Sequence, residues 1–424
     1  MRNSRTILAA AFDPARWFLY ADLIAVLIAV MLPWSTTAVG TLGVVWLLAL
    51  IPLLSTLDTK GVVRLLASPA CWLPIAILAL ALAGTLWADS PWHDRMQGIS
   101  PVARLLLIPT LLYHFERSKR GMWVFLGFFV SCSLLMVLSW IVLLAPELKL
   151  AATASDGVPV KNYIDQSQEF SICMVGVLPF VVAFSREGRH MAAAACAVLA
   201  LAFFLNMGFV VSARGALLYL PVMLALFAFL YLDRRTFALL VVGVAVIAAT
   251  VWFSSPYLRA RFAAIPIEYH EYELNIPAST GRRLEYWEKS LRYFAGSPIF
   301  GNGTGSIKIL FERDAIGKTG LAAEVTRNPH NQTLNVAVQW GMLGILSLYA
   351  MWLAHLLLFR GGGLASWVGL LVVTQNIASS TLNSHLFDFH EGWMYVLGVG
   401  VAGGMKLAER ASTKADRAAA SANA

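Results

Sequence analysis

Long, almost uninterrupted apolar segments are the feature that most limits what this chain can fold into. Hydrophobic residues make up 58% of its 424 residues and charged residues only 13%. A helix that crosses about 30 Å of hydrocarbon needs roughly 20 apolar residues. The sequence therefore predicts an all-α polytopic membrane protein with about twelve transmembrane helices. The predicted spans are 17–34, 37–55, 69–87, 101–115, 121–145, 168–185, 190–211, 214–232, 237–254, 333–359, 364–382 and 390–408.

The basic residues predict which side of the membrane each loop occupies. With the N-terminus in the cytoplasm, more than half of the 32 lysines and arginines fall in inner segments. Inner loops of membrane proteins carry such an excess of positive charge. Both termini are therefore predicted to be cytoplasmic. The net charge of +8 is explained by this orientation of the chain in the membrane and does not indicate binding to nucleic acid. Span 101–115 is short and carries Arg104, which we expect to face a polar cavity rather than lipid.

The predicted spans divide the chain into four parts. These are helices one to nine (1–254), a large outer loop domain (255–332), helices ten to twelve (333–410), and an Ala- and Ser-rich cytoplasmic tail predicted to be disordered (411–424). Long loops often carry function in proteins of this kind. The loop domain is therefore the first place to look for a site.

An amphipathic helix is predicted inside the loop domain. Leu284, Trp287, Leu291 and Phe294 recur at helical spacing, so we expect this face to lie on the helix bundle or on the membrane surface. Ser279 or Thr280 is expected to cap the start of the helix. Gly296, followed by Ser-Pro, is expected to end it.

A histidine lies where the loop domain meets the tenth predicted span, in Asn328-Pro329-His330-Asn331. A neutral imidazole, with an ordinary pKa of about 6.5, can take a proton at physiological pH. The alternative interpretation is an interfacial histidine beside Asn331, which would cap the following helix. His330 is the first candidate for a general base.

Three arginines on the outer side are candidates for holding an anion. Arg214 lies in a tight turn between two spans, where it could either bind an anion or reach the membrane surface. Arg282 and Arg283 stand in the first turn of the predicted loop helix, where the helix dipole favours an anion over a cation. Paired arginines there would suit a phosphate or pyrophosphate. The alternative for this pair is a solvated charged face.

Signals for a metal ion are weaker. Two groups of histidines and carboxylates, identified at the end of this paragraph, could in principle bind a metal. Neither group has the spacing of a zinc motif, so both are interpreted as polar residues at an interface. Asp89 and Asp94 flank an outer turn, but no Asp-x-Asp pair occurs, and a metal-free mechanism is favoured. The two groups are 270–273, with one histidine and two glutamates, and His385, Asp388, His390 and Glu391.

Together these motifs resemble the O-antigen ligase and polymerase family of bacterial inner-membrane enzymes, and most of all its ligases. The ligase pattern His-Asn, nine residues, Gly-x-x-Gly is matched by His330-Asn331 and Gly341-Met342-Leu343-Gly344. Ser212-Ala213-Arg214-Gly215 is similar to the family's Ser-Arg-Gly turn, with one extra residue. Arg283, Trp287 and Pro298-x-x-Gly301-x-Gly303 resemble its Arg-x-x-x-Trp and Pro-x-x-Gly-x-Gly stretch, and Arg282 could replace Arg283 if the spacing slips.

The resemblance implies a glycosyltransferase of the C type (GT-C). Its donor would be undecaprenyl-pyrophosphate-linked O-antigen, and its acceptor lipid A–core, both held in the lipid bilayer at the periplasmic side. His330 would be the general base, and Arg214 with Arg283 or Arg282 would bind the pyrophosphate, without metal or cofactor and with inversion. An O-antigen polymerase, a protein O-oligosaccharyltransferase and, from the number of spans alone, a transporter remain as alternatives.

Overall fold

A computed structural model describes residues 13–153, 155–211, 213, 215–254 and 256–422. In these residues all regular structure is helical, as the continuous apolar segments predict. The helices of the first half are α1 (Pro14–Met31), α2 (Thr36–Leu50), α3 (Thr59–Leu66), α4 (Pro69–Ala83), α5 (Trp92–Ala103), α6 (Leu107–Phe115), α7 (Gly121–Leu144), α8 (Tyr163–Arg186) and α9 (His190–Phe209). Those of the second half are α10 (Ala216–Tyr231), α11 (Arg234–Ser254), α12 (Pro256–Glu273), α13 (Ser279–Gly296), α14 (Ser306–Ala315), α15 (Gln332–Leu358), α16 (Leu364–Ser379) and α17 (Phe389–Ala422).

Several of these helices are long and apolar enough to cross a bilayer. Seven meet this test among the described residues, or eight if the bent pair formed by α3 and α4 makes one span. Two shorter apolar helices, Leu218–Tyr231 and Leu364–Ser379, coincide with two more of the predicted spans. The chain is a multi-pass membrane protein, and the count of twelve spans stays a prediction.

The fourth span differs from its prediction. It runs from Trp92 to Phe115 through α5, a short 3-10 turn and α6, and so begins well before residue 101. Arg104 lies in the turn, and its guanidinium donates to the carbonyls of Asp388 and Phe389 at 2.5 and 2.8 Å. The charge thus has a partner inside the bundle, which explains how a short apolar stretch tolerates an arginine.

Two buried apolar clusters hold the described bundle together. One centres on α1, α4, α6, α15 and α17, and the other on α7, α8, α9, α10 and α16. Tight packing of α17 depends on small residues, since a side chain at Gly400 would meet Leu111 and one at Gly404 would meet the backbone of Phe115. Close approach of helices through glycine is common in membrane proteins.

The loop domain is folded into helices, and the predicted amphipathic helix is α13. Its Tyr286, Lys289 and Ser290 are buried, whereas Leu291 of the predicted apolar face is 55% exposed, so that face does not pack as a whole on the bundle and its place on the membrane surface stays a prediction. Lys289 is buried since its ammonium donates to the Ala322 carbonyl at 2.7 Å and lies 3.2 Å from the carboxylate of Glu285. Partners of this kind let a charged residue occupy an interior position.

The start of α13 also differs from expectation. Its N-cap is Ala278, which offers no side-chain bond, and Ser279 is already helical. The hydroxyl of Thr280 donates instead to the carboxylate of Glu268 on α12. The helix ends at Gly296, as predicted.

The C-terminal tail was predicted to be disordered over 411–424, whereas α17 continues as a helix to Ala422. Alanine and charged residues with long side chains dominate this stretch, and both have high helix propensity. Residues 423 and 424 lie outside the described part of the chain.

Candidate active site

The Gly-x-x-Gly motif marks a break in α15. Gly341 has φ 61° and ψ −148° within an otherwise helical run. We call residues 297–305, which follow α13, the Gly-rich loop. A Cβ atom at Gly341 would lie 2.4 Å from the carbonyl oxygen of Ile299, so this loop contacts the backbone of α15 directly. A glycine is needed at Gly341 for both its positive φ and this close contact.

The Gly-rich loop satisfies the backbone groups that the break sets free. The N–H groups of Asn302 and Gly303 donate to the carbonyls of Val338 and Gln339 at 2.8 and 2.9 Å, and that of Met342 donates to Pro298 at 2.8 Å. Backbone groups inside a membrane protein need such partners. These bonds fix the end of α13 against α15, and His330 lies two residues before the start of α15.

His330 itself has a strained backbone. Its φ is 54°, and the only other positive φ outside glycine among the described residues is that of Asn275. The backbone N–H of His330 donates to Oδ1 of Asn328 at 2.9 Å. Asn331 caps α15 by accepting from the N–H of Leu334 at 3.0 Å. Such backbone strain often occurs at functional sites, where the surroundings hold it in place.

Asn383 fixes the proton on the imidazole of His330. Nδ1 of His330 lies 2.8 Å from Oδ1 of Asn383, and Nδ2 of Asn328 donates to the same oxygen at 3.2 Å. An amide oxygen is an acceptor, so Nδ1 carries the proton of the neutral ring and Nε2 keeps its lone pair. The ring stacks on Tyr286, with centroids 6.1 Å apart and planes 17° apart.

The surroundings keep the imidazole of His330 neutral. Burial lowers its pKa from 6.5, the hydrogen bond to Asn383 acts in the opposite direction, and the charge of Arg283 lowers the pKa again. At neutral pH the ring is therefore mostly unprotonated, which is the state that a general base requires.

A polar cavity of about 80 Å³ lies beside this histidine, and Asn383 forms part of its wall. Among its described lining residues, Arg283 is the one with a permanent charge. His385 also lines the cavity, but burial lowers its pKa to about 4, so it is neutral at pH 7. The net charge of the described lining is positive, which suits an anion.

Three helix starts converge on the same cavity. Its walls include Tyr163 at the start of α8, Gly215 just before α10 and Ser279 at the start of α13. The start of α10 has no side-chain cap, whereas Asn162 caps α8 and the backbone N–H of Thr280 in α13 donates to the carboxylate of Glu268 at 2.9 Å. Each helix start carries a partial positive charge of about half a unit. Together with Arg283, the uncapped start of α10 favours a phosphate or pyrophosphate group.

The candidate arginines are in different positions. Arg283 lines the cavity, whereas Arg282 pairs with Glu324, with Nη2 of the guanidinium 3.0 Å from Oε1 of the carboxylate. Arg214 and Ser212 lie outside the described residues. The chain neighbours of Arg214 on both sides, Ala213 and Gly215, line the cavity.

The weaker metal candidates are distributed among other contacts. In the part of the chain that the structure describes, no three His, Cys, Asp or Glu side chains are placed to hold a metal ion. His390 Nδ1 lies 2.5 Å from Oδ2 of Asp165. Asp89 pairs with Arg313 at 2.5 Å, and Asp94 pairs with Arg327 at 3.0 Å. These carboxylates join the bundle to the loop domain.

Sequence reasoning missed three residues that shape the site. Asn383, Tyr286 and Asn328 hold or contact His330, and none was assigned a role from the sequence. The one available signal was the polar run after α16, which contains Asn383 and in which His385, Asp388, His390 and Glu391 were interpreted as decoration of an interface.

A family model matches the part of the chain that contains several of the candidate residues. A family model described as O-antigen ligase matches residues 196–349. This segment is an O-antigen ligase family domain. The resemblance predicted from the motifs is therefore confirmed. The ligase domain contains Arg214, Arg283, His330 and the Gly341 break, whereas Asn383 lies beyond its end.

One relative was also found among curated proteins. An uncharacterized protein of Haemophilus influenzae is 27% identical to this chain over 156 residues. The aligned segment covers 35% of this chain and 39% of the relative, so the two share well under half of their lengths.

Proposed function

We propose that the protein is an O-antigen ligase that transfers O-antigen polysaccharide from undecaprenyl pyrophosphate to a sugar hydroxyl of lipid A–core. The observation that carries the proposal is the state of His330, which lies inside the segment that matches the O-antigen ligase family. Its Nε2 is unprotonated, and the ring lies beside a cationic cavity. A base next to an anion site suits glycosyl transfer from a pyrophosphate donor. The proposed setting is lipopolysaccharide biosynthesis in the bacterial inner membrane.

The cationic cavity is the proposed site of the donor pyrophosphate. Arg283 supplies the charge, and the uncapped start of α10 adds to it. Arg214, whose sequence neighbours Ala213 and Gly215 line the cavity, is proposed as the second cation for the pyrophosphate. These groups stabilise negative charge that grows on the leaving pyrophosphate. Arg282 is engaged with Glu324 and has no direct part in this proposal.

His330 is the proposed general base. Nε2 takes the proton of the acceptor hydroxyl while that oxygen forms a bond to the anomeric carbon of the donor. The bond from this carbon to the pyrophosphate oxygen breaks, and its electron pair leaves with undecaprenyl pyrophosphate. Attack from the face opposite the leaving group inverts the anomeric configuration. Because pyrophosphate is already activated and the arginines neutralise it, the proposed reaction needs no metal ion.

The proposed orientation places both termini in the cytoplasm and the site at the periplasmic face. The excess of lysine and arginine in the opposite loops supports this orientation. The alternative of an anion transporter is not favoured, because Arg104, its best candidate within a span, is held by the carbonyls of Asp388 and Phe389.

Reconstitution distinguishes the proposed ligase reaction from those of a polymerase and of a protein O-oligosaccharyltransferase. The purified protein would be combined with undecaprenyl-pyrophosphate O-antigen and lipid A–core, with chelator present. A ladder of glycan on lipid A–core supports the ligase. Longer glycan on the undecaprenyl carrier would indicate a polymerase, glycan on an added serine-rich pilin would indicate a protein O-oligosaccharyltransferase, and no transfer by folded protein would contradict the proposal.

A further inference from the structure

An apolar cavity of about 280 Å³ lies at the opposite end of the bundle from His330. His330 precedes α15 by two residues, whereas His355 lies near the end of that helix, with Nε2 3.0 Å from the carbonyl oxygen of Ala70. Cys71, the next residue in the chain, lines the cavity. At 1.5 Å per residue, the length of α15 puts roughly 30 Å between His330 and this level of the bundle. The cavity is therefore separate from the candidate active site.

Apolar side chains of α1, α2, α3, α4 and α6 form most of the wall, together with the 3-10 turn that follows α2. Arg117 is the one residue with a permanent charge among the described residues of the lining. The lining residues Leu54, Leu57 and Leu66 are 61%, 41% and 42% exposed, so the cavity opens between them onto the outside of the bundle. In a multi-pass membrane protein, apolar side chains on the outside of the bundle face lipid. An acyl chain can therefore enter the cavity from the bilayer.

The helix that closes one side of the cavity has the form of an interfacial helix. α3 is bent by 73° from α4, so it lies across the end of α4 rather than extending it. Val62, Leu65 and Leu66 of α3 line the cavity. Lys60 and Arg64 of the same helix are exposed. Helices with one apolar and one basic face typically lie at the boundary between headgroups and acyl chains, which places the cavity at that level.

The mouth of the cavity carries more positive than negative charge. Each acid in segments 56–66 and 113–120, and the buried Asp22 that faces them, has a cation as its partner. The pairs are Arg117 with Asp58 at 3.5 Å, Arg64 with Glu116 at 2.5 Å, and Arg120 with Asp22 at 3.2 Å.

Two further lysines in these segments give the surplus charge. Within the described part of the chain, neither Lys60 nor Lys119 forms an ion pair, and both are exposed. Lys60 lies between Leu57 and Val62, which line the cavity, and Lys119 follows the lining residue Arg117 by two positions. We call Lys60 and Lys119 the basic rim. The rim adds two positive charges beside an apolar cavity, a combination that matches the headgroup and chain of an anionic lipid.

From the cavity, its opening towards lipid and the basic rim, we infer that the protein binds one anionic phospholipid here. An acyl chain occupies the cavity, and the headgroup phosphate lies at Lys60 and Lys119. Basic sites between helices near a membrane surface bind lipid headgroups of this kind. In the proposed orientation, the lipid belongs to the cytoplasmic leaflet. The inference is independent of the proposed function, because this lipid is neither donor nor acceptor of glycan.

Native mass spectrometry of the delipidated full-length protein tests the headgroup part of the inference. Phosphatidylglycerol and phosphatidylethanolamine with identical acyl chains would be titrated separately at low ionic strength. Saturable binding of one phosphatidylglycerol is expected, with weaker binding of the zwitterionic lipid. Lys60→Gln combined with Lys119→Gln should lower the affinity for phosphatidylglycerol about 30-fold, since each lysine near an anionic lipid contributes a factor of about five. Lys414→Gln combined with Arg417→Gln removes the same charge from exposed positions of α17 and should leave the affinity close to that of the wild type.

A pair of tryptophan variants tests the acyl-chain part. Leu66→Trp fills the cavity from its wall, whereas Val63→Trp adds the same side chain at a position of α3 that is 67% exposed and outside the lining. Leu66→Trp should lower the affinity for phosphatidylglycerol about tenfold or more, and Val63→Trp should change it little. Thermal midpoints in detergent without lipid would establish that each variant is folded. If Leu66→Trp does not fold, the two pairs of charge variants still decide the outcome.

Several results would overturn the inference. Equal affinities of the wild type for the two lipids, or equal losses from the rim pair and the α17 pair, would show general attraction of charge and no selective site. An unchanged affinity in folded Leu66→Trp would show that the cavity holds no acyl chain. The absence of saturable binding of either lipid to the folded wild type would mean that detergent alone fills the cavity. None of these results bears on glycan transfer, so the proposed function is tested separately.

Discussion

Nδ1 of His330 lies 2.8 Å from Oδ1 of Asn383, which is 53 positions further along the chain. This contact joins the loop before α15 to the loop after α16. It leaves Nε2 as the proton acceptor of the neutral ring. The chemistry proposed for His330 therefore depends on a residue outside the segment that matches the ligase family.

Two substitutions of Asn383 should change the pH dependence of kcat/KM in different ways. Asn383→Asp keeps an acceptor for Nδ1 but adds a negative charge, which favours the imidazolium and raises the pKa of His330. Because the base must be neutral, the acid limb of kcat/KM should move to higher pH, with activity largely kept above pH 8. Asn383→Leu removes the acceptor, frees the tautomer and should lower kcat about 10–100-fold at every pH. Equal profiles for both variants would contradict this role for Asn383.

Arg283→Gln should affect both the donor and the base. Loss of a hydrogen bond to a charged group costs about 1.5–3 kcal/mol, so the affinity for undecaprenyl pyrophosphate should fall about 10–100-fold. The charge of Arg283 also lowers the pKa of His330. Its removal should raise that pKa and shift the acid limb of the rate profile to higher pH.

Arg282→Gln is the matched control for Arg283→Gln. It removes the same charge one position away, from a guanidinium that pairs with Glu324. Donor affinity, measured by isothermal titration in detergent, should stay close to that of the wild type. A larger loss from Arg282→Gln than from Arg283→Gln would reverse the assignment.

The break in α15 should tolerate no side chain at Gly341. Gly341→Ala brings a Cβ to 2.4 Å from the Ile299 carbonyl at a φ of +61°. Gly317→Ala is the control, because Gly317 has φ +74° with nothing within 4 Å. The control should lose about 1–2 kcal/mol through its backbone alone, and Gly341→Ala should lose more. Thermal midpoints at one scan rate would show this, and equal midpoints would argue against direct docking of the Gly-rich loop.

Backbone strain at His330 can be measured separately from its chemistry. His330→Asn and His330→Val both remove the imidazole, but asparagine tolerates positive φ far better than a β-branched residue. With φ at 54°, the valine variant should be less stable than the asparagine variant by about 1–2 kcal/mol. Chemical denaturation in detergent would measure the difference. A more stable valine variant would be inconsistent with the strained backbone.

Local sequence patterns predicted the helical class and the motif that carries His330. They succeeded because apolar run length and short motifs are properties of neighbouring residues. The burial of Lys289 in α13 was not predicted, because a lysine counts as polar in any periodicity, whereas the folded chain gives it partners in Ala322 and Glu285. Those partners are fixed by tertiary structure.

The contacts that define the site were beyond sequence reasoning for the same reason. Asn383 and Tyr286 come to His330 from positions 53 and 44 residues away. Nothing in the local sequence distinguishes Asn383 from any other polar residue in a loop. The glycine at Gly341 was recognised as part of a motif, but its purpose, direct contact with the Gly-rich loop, required the folded chain.

The most direct test of the central claim is the single-turnover rate of His330→Ala with saturating donor and acceptor. Donor affinity would be measured on the same protein. If His330 is the base, the rate should fall about 100-fold or more while donor affinity stays close to that of the wild type. A rate unchanged at pH 7 in the folded variant would contradict the account.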